Sequence, residues 1–133
     1  MSGIMPFIYV AAGGAAGCAL RYGMDQWISR ATFVFPVGTF VINLISCFLM
    51  GVFAAFAFTR GGWMSQEGRF LLMSGFCGGY STLSALGLQT LHLIKIHHYG
   101  YAAINILGTP AVCLLVLWGG YWLGCSLAAG HHP

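Results

Sequence analysis

The sequence predicts an all-α membrane protein, a bundle of four transmembrane helices whose third helix is broken in the middle of the membrane. Of the 133 residues, 59% are hydrophobic and only 5% are charged, with a mean hydropathy of +0.83. Soluble domains carry roughly 25% charged residues. A window of about 19 residues finds four apolar stretches, and the linkers between them are too short for a soluble domain. We therefore expect one transmembrane domain that occupies residues 1–133.

Each apolar stretch is long enough to cross about 30 Å of hydrocarbon as a helix. The first twenty residues lack the basic start of a secretory signal peptide, so we expect the first stretch to remain as a helix. Within it, Gly13 and Gly17 lie four residues apart, a spacing that lets two helix backbones approach closely. The four predicted spans run over about Ile4–Met24, Phe33–Phe58, Phe70–Ile94 and Tyr101–Leu127.

The distribution of basic residues predicts an unusual topology. The linkers on one side of the membrane contain Arg60 and Arg69, and those on the other contain Arg30 and Lys95. Because the bias of Lys and Arg sets orientation, this tie predicts insertion in both orientations. A chain that inserts both ways can pair with itself, antiparallel, about a two-fold axis in the membrane plane. The alternative is a weak bias that the cell still reads correctly.

The centre of the third span carries a run of glycines and hydroxyls, Gly75-Phe76-Cys77-Gly78-Gly79-Tyr80-Ser81-Thr82, between apolar flanks. This composition predicts a break in the helix. Backbone groups that are freed in hydrocarbon cost several kcal/mol each, so such a break persists only where it lines a cavity or holds an ion. Residues 75–82 are therefore the candidate functional centre.

Other polar residues lie within the apolar spans. Arg21 ends the first span, where it either serves an ion path or extends to the membrane interface. Asn43 lies in the middle of the second span and either donates to an anion or bonds a neighbouring helix. Tyr101, Asn105 and Thr109 form a stripe on the fourth. The stripe suits either one wall of an anion path or hydrogen bonding between helices.

The sequence also argues against two classes of function, proton-coupled transport and enzymatic catalysis. The two carboxylates, Asp25 and Glu67, fall in predicted linkers, whereas proton-coupled transporters use a carboxylate within the membrane. Many donors without carboxylates favour anions over cations. The sequence has no zinc-ligand spacing, phosphate-binding loop or nucleophile–base pair, so we expect no enzymatic activity. The five cysteines are expected to be free thiols, and we assign no role to His131 and His132.

Three segments together resemble the CrcB/Fluc family of fluoride channels. Residues 13–22, GGAAGCALRY, are similar to its glycine-rich first helix, which ends in Arg-Tyr. Residues 36–43, PVGTFVIN, are similar to the start of its second helix, where Gly-Thr precedes Asn. Residues 75–84, GFCGGYSTLS, are similar to its third-helix break. Each segment alone is a weak signal, but the three in the family's order are specific.

The resemblance implies a passive channel, in the inner membrane of a bacterial cell, that exports fluoride. It implies an antiparallel homodimer with two pores and a structural Na+ at its centre. The backbone carbonyls of Gly78 and Ser81 would hold the Na+, and glycine would allow the unusual backbone there. Arg21 would hold positive potential in the vestibule. The whole ion pathway implied by the resemblance comprises Arg21, Asn43, Leu83, Ser84, Leu86, Tyr101, Asn105 and Thr109.

The sequence departs from the family pattern after the break. Leu83 and Leu86 occupy the positions of two pore phenylalanines, so the positive ring edges that can face fluoride are lost. Ala85 replaces a threonine and Gln89 a glutamate. The chain is then either a fluoride channel with slower or less selective conduction, or a non-conducting or half-conducting subunit of a heterodimer with a paralogue. The balanced charges favour the homodimer, because a partner of fixed orientation should show more bias.

Two rival classes fit the sequence less well. A small multidrug exporter has this length, four helices and dual topology, but it needs a carboxylate in the middle of its first helix. None lies between Ile4 and Met24. A structural subunit without transport would keep the packing glycines, but it would have no need for a break at residues 78–81 or for the polar stripe.

Overall fold

In the computed structural model, four helical segments account for most of the chain. The structure describes residues 3–31, 34–59 and 63–130, and within these ranges it contains helices and no strands. Helix α3 is interrupted, and its two parts are called α3a (residues 66–80) and α3b (Leu83–Lys95). The helices are α1 (Met5–Ile28), α2 (Val37–Phe58), α3 (Gln66–Lys95) and α4 (Tyr99–Ala129).

Three of these helices, α2, α3 and α4, are long and apolar enough to cross a membrane. Helix α1 has 24 residues but is less apolar, because small residues occupy much of its centre. That α1 also crosses the membrane stays a prediction. The predicted start of the second span, Phe33, lies outside the described residues, as do Arg60 of the charge count and the terminal His131 and His132.

Both carboxylates lie in helices, so the prediction that they fall in linkers is wrong. Helix α1 continues a full turn beyond Met24, and Asp25 lies in that last turn. Glu67 lies in the first turn of α3, where a carboxylate is stabilised by the positive end of the helix dipole. Ser65 precedes this turn and caps it, since its hydroxyl accepts a hydrogen bond from the amide of Gly68 at 3.1 Å.

The predicted break in the third helix is confirmed, and it is narrower than the glycine-rich run. Only Ser81 (φ −78°, ψ 158°) and Thr82 (φ −152°, ψ 122°) leave the helical conformation. The preceding stretch, Arg69–Cys77, has wide π-helical turns, which occur frequently at functional sites. Gly78 is itself helical (φ −63°, ψ −37°). The expectation that glycine permits an unusual backbone at this position is therefore wrong.

The glycines of α3a serve a close contact with α1 instead. A Cβ atom at Gly79 would lie 2.6 Å from the carbonyl oxygen of Gly14, and one at Gly75 would lie 2.8 Å from that of Val10. Gly17 on α1 is equally confined, because its Cβ would lie 2.9 Å from the amide nitrogen of Tyr80. Small residues thus let the two backbones touch, as the sequence predicts for α1.

Helices α2 and α4 form the most extensive contact in the described structure, followed by α1 with α3a. Helix α4 continues through Pro110 directly after π-helical turns at Ile104–Gly108. Proline has no amide hydrogen for a regular helical bond, and the wide turns before it accommodate this loss. The interior between the helices contains polar side chains as well as apolar ones. The buried polar residues are Thr39, Asn43, Ser46, Thr90, Asn105 and Thr109.

Candidate functional site

Asn43 of α2 holds the break in α3 in its extended conformation. Its Oδ1 accepts a hydrogen bond from the amide of Thr82 at 3.0 Å, and its Nδ2 donates to the carbonyl of the same residue at 3.4 Å. Asn43 is buried. A single side chain from α2 therefore pairs both backbone groups of Thr82, which would otherwise be costly to bury.

The break removes the helical amide partners of backbone carbonyls, among them those of Gly78 and Ser81. In an unbroken helix the amide of Thr82 would donate to the carbonyl of Gly78, and the amide of Ala85 to that of Ser81. Instead the Thr82 amide donates to Asn43, and the Ala85 amide donates to Thr82 Oγ1 at 3.3 Å. Thr82 is thus the N-cap of α3b. Gly78 is exposed on the surface of the chain.

The hydroxyl of Ser81 is hydrogen bonded to the preceding turn of α3a. It donates to the carbonyl of Cys77 at 3.0 Å, and the amide of Ser81 donates to the same oxygen at 3.0 Å. Ser46 of α2 adds a further donor at 3.2 Å. The Cys77 carbonyl is therefore fully used, which fixes the end of α3a against α2.

A cavity of about 120 Å³, called here the vestibule, lies where α1, α2 and α3b meet. A second cavity of about 220 Å³ adjoins it and shares Asp25, Thr39 and Gln89 with its wall. Thr82, at the break, lines the smaller of the two cavities. The residues that line the vestibule are Arg21, Tyr22, Asp25, Thr39, Ile42, Thr82, Ala85 and Gln89.

Two buried polar atoms in the wall of the vestibule have no hydrogen-bond partner among the described residues. One is Nε of Arg21 and the other is Oε1 of Gln89. The Nε2 atom of Gln89 donates to Thr39 Oγ1 at 2.6 Å. A buried donor or acceptor without a partner costs about 1–3 kcal/mol. The wall of the vestibule therefore contains a buried charged donor and a buried acceptor that no described protein group satisfies.

A third cavity of about 190 Å³, called here the break cavity, lies on the other side of Thr82. Thr82 lines both the vestibule and the break cavity. The structure thus brings Asn43, Leu83, Leu86 and Thr109, which the sequence assigns to the pathway, to one place. The full lining is Asn43, Cys47, Ser81, Thr82, Leu83, Leu86, Thr109, Pro110 and Cys113.

The polar stripe of α4 divides into two parts. Asn105 is only 1% exposed and bonds α3b, donating to the carbonyl of Leu86 at 3.3 Å and to Thr90 Oγ1 at 3.0 Å. Thr109 donates to Asn105 Oδ1 at 3.5 Å. Tyr101 is 44% exposed and packs beside Phe35, with 6.2 Å between ring centroids. Asn105 therefore has the interhelical hydrogen bonds that the sequence allows as an alternative to a pathway role.

The two leucines after the break have very different surroundings. Leu83 is 77% exposed, whereas Leu86 is 3% exposed. Ser84, next to Leu83, is also exposed, and its Oγ lies 3.2 Å from Thr82 Oγ1. The hydroxyls of Ser84 and Thr82 therefore lie together on the open side of the break, where a second wall is needed to enclose them.

The sequence analysis includes Thr82 in the candidate functional centre but assigns no site role to Thr39 or Gln89, and the structure places all three beside Arg21. Thr39 and Gln89 are 50 residues apart, and nothing local in the sequence pairs them. A usable signal was present, however. Thr39 and Thr82 stand within the segments that resemble the family, and the resemblance implies a glutamate at the position of Gln89.

Most of this chain is similar in sequence to a known family and to named proteins of other organisms. Residues 8–121 match the family described as CrcB-like protein, camphor resistance. A fluoride-specific ion channel of Methylobacillus flagellatus is 38% identical over 116 residues, which cover 86% of this chain and 90% of the relative. One from Coxiella burnetii is 35% identical over 128 residues, 96% of this chain and 100% of the relative.

A third relative, a fluoride-specific ion channel of Opitutus terrae, is 33% identical over 117 residues, 86% of this chain and 89% of its own length. The matched region extends from α1 into α4 and includes both the vestibule and the break. Together with the three helices that are long and apolar enough to span a bilayer, these matches identify a multi-pass integral membrane protein that belongs to the CrcB family.

Proposed function

We propose that this chain is a passive, fluoride-selective channel that lowers the fluoride concentration of a bacterial cytoplasm. The observation that carries the proposal is the unpartnered Nε of Arg21 in a cavity that leads to a broken helix. The three relatives described above are named as fluoride-specific ion channels, which supports fluoride as the permeant ion. Such a function requires no chemical reaction and no catalytic residue.

Entry begins at the vestibule. The guanidinium of Arg21 raises the local concentration of anions, because a charge at a narrow low-dielectric mouth focuses its field. Asp25 lies one turn further along α1 and lines the same cavity. Its carboxylate moderates this field, so Arg21 attracts an anion without trapping it. An ion path needs this balance, since a site that binds too strongly does not release.

Fluoride is small and tightly hydrated, so it leaves water only where donors replace its hydration shell. The wall of the vestibule supplies hydroxyls from Thr39 and Thr82 beside Arg21. A half-turn of the Gln89 amide would replace the Thr39 hydroxyl as a donor to the cavity by the amide NH2 group. Thr39 would then donate to Oε1, and the NH2 group would face the cavity, which also satisfies the buried Oε1 atom.

Beyond Thr82 the ion reaches the break cavity. Asn43 has one N–H on Nδ2 beyond the bond to Thr82, and this hydrogen is the donor proposed for the pore. Ser84 offers a hydroxyl on the open side. Leu83 and Leu86 contribute apolar walls without donors or ring edges. We expect this segment to slow fluoride, because the ion crosses it with fewer compensating contacts.

We propose that two copies pair in antiparallel orientation and complete the pathway. Gly78, Leu83 and Ser84 are exposed on a single chain, although backbone carbonyls without partners are not stable against lipid. A second copy related by a two-fold axis in the membrane would cover the break and supply the opposite wall. The balanced basic residues of the sequence support insertion in both orientations.

The residues present fit a structural Na+ between the two breaks. The carbonyls of Gly78 and Ser81 have lost their helical amide donors, and unwound backbone carbonyls are the ligands that membrane proteins use for Na+. We propose that these two oxygens of each chain hold the ion. Bound Na+ would stabilise the paired breaks electrostatically. It would also explain why the break persists without a carboxylate.

The proposal is tested in a bacterial strain that is sensitive to fluoride because its own fluoride channel has been deleted. Expression of this chain alone should restore growth in fluoride and lower the intracellular fluoride measured with an electrode. Arg21→Ala should restore growth poorly at an equal amount of membrane-inserted protein, whereas Arg30→Lys should act like the parent, since Arg30 does not line the vestibule and the balance of basic residues is kept. Continued sensitivity with the intact chain in the membrane would contradict fluoride export by this chain alone.

A further inference from the structure

A single carboxylate lies in the wall that the vestibule shares with the second cavity of about 220 Å³. Asp25 lines both cavities, and no other Asp or Glu among the described residues lines either one. Asp25 lies in the last turn of α1, at the negative end of that helix's dipole, where a carboxylate is disfavoured. Helix α1 alone therefore gives no reason for an acidic residue at this place.

The carboxylate of Asp25 lies against the first turn of α2. A Cβ atom at Gly38 would lie 2.6 Å from its Oδ1 atom, so only a glycine allows the oxygen to come this close to the α2 backbone. Helix α2 begins at Val37, and no side chain caps this end by a hydrogen bond. The amides of Gly38 and Thr39 belong to the first turn and so have no acceptor within the helix. The carboxylate therefore lies at the positive end of the α2 dipole.

No bond holds the carboxylate in this place. Among the described residues, Asp25 forms no ion pair or hydrogen bond, and Arg21, one turn earlier on α1, keeps an unpartnered Nε. Gln89, in the same shared wall, carries a neutral amide that bonds Thr39. Because Asp25 is only half-buried, its side chain can move within the cavities without breaking a bond. An anion that is held only by electrostatics can be displaced by another anion.

We propose that Asp25 is a tethered competitor of the permeant anion. Its carboxylate occupies the place at the first turn of α2 that an anion attracted by Arg21 would otherwise take, since helix N-termini bind anions. Fluoride reaches this place only when the carboxylate moves aside. Asp25 thus sets the fluoride concentration at which the path saturates and keeps an ion from being held there too strongly. The effect on flux rests on the proposed function, whereas competition for anion binding does not.

The first test measures the initial rate of fluoride efflux from liposomes that contain the full chain, over a range of internal fluoride concentrations at constant ionic strength. In the Asp25→Ala variant, the half-saturating fluoride concentration should fall about three- to tenfold, the effect of one charge at a helix N-terminus. The maximal rate should not rise. Asp25→Asn keeps the size of the side chain and should change the half-saturating concentration in the same direction. An unchanged or higher value in folded protein of both variants would overturn the proposal.

Glu67→Gln is the matched control for Asp25→Asn, because each replaces one carboxylate with an amide. Glu67 lies at the start of α3 and lines neither cavity. Its replacement should leave the half-saturating fluoride concentration at the value of the parent. An equal shift in the two variants would overturn the proposal, since it would reflect net charge alone.

A binding measurement separates this inference from the proposed function. The unfolding temperature of the purified full chain is measured in detergent while gluconate is replaced with fluoride at constant Na+. An anion that binds the folded protein raises this temperature by mass action. The rise should begin at a lower fluoride concentration in Asp25→Ala than in the parent or in Glu67→Gln.

The outcomes of this measurement are distinct. A purely structural role of Asp25 would lower the unfolding temperature itself and leave its dependence on fluoride unchanged, which would overturn the proposal. A shifted dependence on fluoride would support the competition. The same shift in protein that conducts no fluoride would support the competition while contradicting the fluoride channel.

Discussion

At the scale of single residues, Asn43 holds the break in its extended conformation, because its side chain pairs both backbone groups of Thr82. Asn43→Ala should lower the free energy of unfolding by about 1–3 kcal/mol, since it leaves a buried amide and carbonyl unpaired. It should also reduce fluoride flux strongly, because the break loses its shape and the pore loses a donor. Thermal unfolding in detergent and efflux from liposomes measure the two effects.

The control for Asn43 lies one turn further along α2. Ser46 also bonds α3 beside the break, but its acceptor, the carbonyl of Cys77, keeps two donors from Ser81 when Ser46 is removed. Ser46→Ala should therefore cost about 1 kcal/mol or less and leave fluoride flux close to that of the parent. Equal losses of flux in the two variants would show that Asn43 acts only through general packing.

The two leucines after the break should respond differently to replacement by phenylalanine. Leu83 is 77% exposed, so Leu83→Phe should fold normally and preserve or raise fluoride flux by restoring a ring edge. Leu86 is 3% exposed but lines the break cavity, so the ring of Leu86→Phe has to extend into that cavity, and overpacking against the other neighbours should cost up to about 1–3 kcal/mol. Unfolding temperature and efflux are measured for each variant. A fall in flux with Leu83→Phe in stable protein would indicate a pathway adapted to leucine.

Some of these residue roles could be predicted from the sequence and others could not. A polar side chain in an apolar span is conspicuous, so Arg21 and Asn43 are found without a structure. The sequence does not say which atoms they meet, and the bond from Gln89 to Thr39 joins residues 50 apart. Such pairs depend on how α2 and α3b pack, which no local pattern encodes.

At the scale of helices, the contact between α1 and α3a decides where the break lies. The glycine-rich run predicts a break over residues 75–82, but the structure keeps the helix as far as Tyr80. Glycine serves both breaks and close approaches, and the sequence does not distinguish them. Here Gly75 and Gly79 pack on α1, while the break falls at Ser81 and Thr82, whose lost helical bonds are replaced by side chains.

Glycine substitutions in α1 test this role. Gly17→Ala places a Cβ atom 2.9 Å from the amide nitrogen of Tyr80 and still closer to the carbonyl of Phe76. We expect it to lower the free energy of unfolding by about 1–3 kcal/mol through overpacking. Gly23→Ala, in the same helix, meets nothing within 4 Å and should be neutral. Thermal unfolding compares the two, and similar stabilities would contradict a backbone contact at Gly17.

At the scale of the whole molecule, a single chain leaves its functional centre uncovered. The face that carries Gly78, Leu83 and Ser84 is exposed, and it includes backbone carbonyls that would not be stable in lipid. The sequence predicts the antiparallel partner only through its balanced charges. The exposed break adds a physical reason for the proposed pairing, because a second copy would both complete the pathway and cover the carbonyls of the break.

The proposed Na+ gives this assembly an ionic dependence. Because the proposed ligands are the backbone carbonyls of Gly78 and Ser81, no side-chain variant would remove them, so the ion itself is varied. Replacing Na+ with N-methylglucamine at equal ionic strength should lower the dimer's unfolding temperature, since a ligand bound only by the folded dimer stabilises it by mass action. An unfolding temperature that does not change with Na+ would contradict a structural ion.

The central claim is that this chain, paired with itself, conducts fluoride although leucine stands at both phenylalanine positions. The most direct measurement is fluoride efflux from liposomes that contain this protein alone, followed with a fluoride electrode, with chloride as the comparison ion. We expect rapid loss of fluoride with retention of chloride. Liposomes that contain the Arg21→Ala variant should lose fluoride more slowly. Retention of fluoride by liposomes that contain folded protein would contradict it, and would indicate that a different partner chain is required.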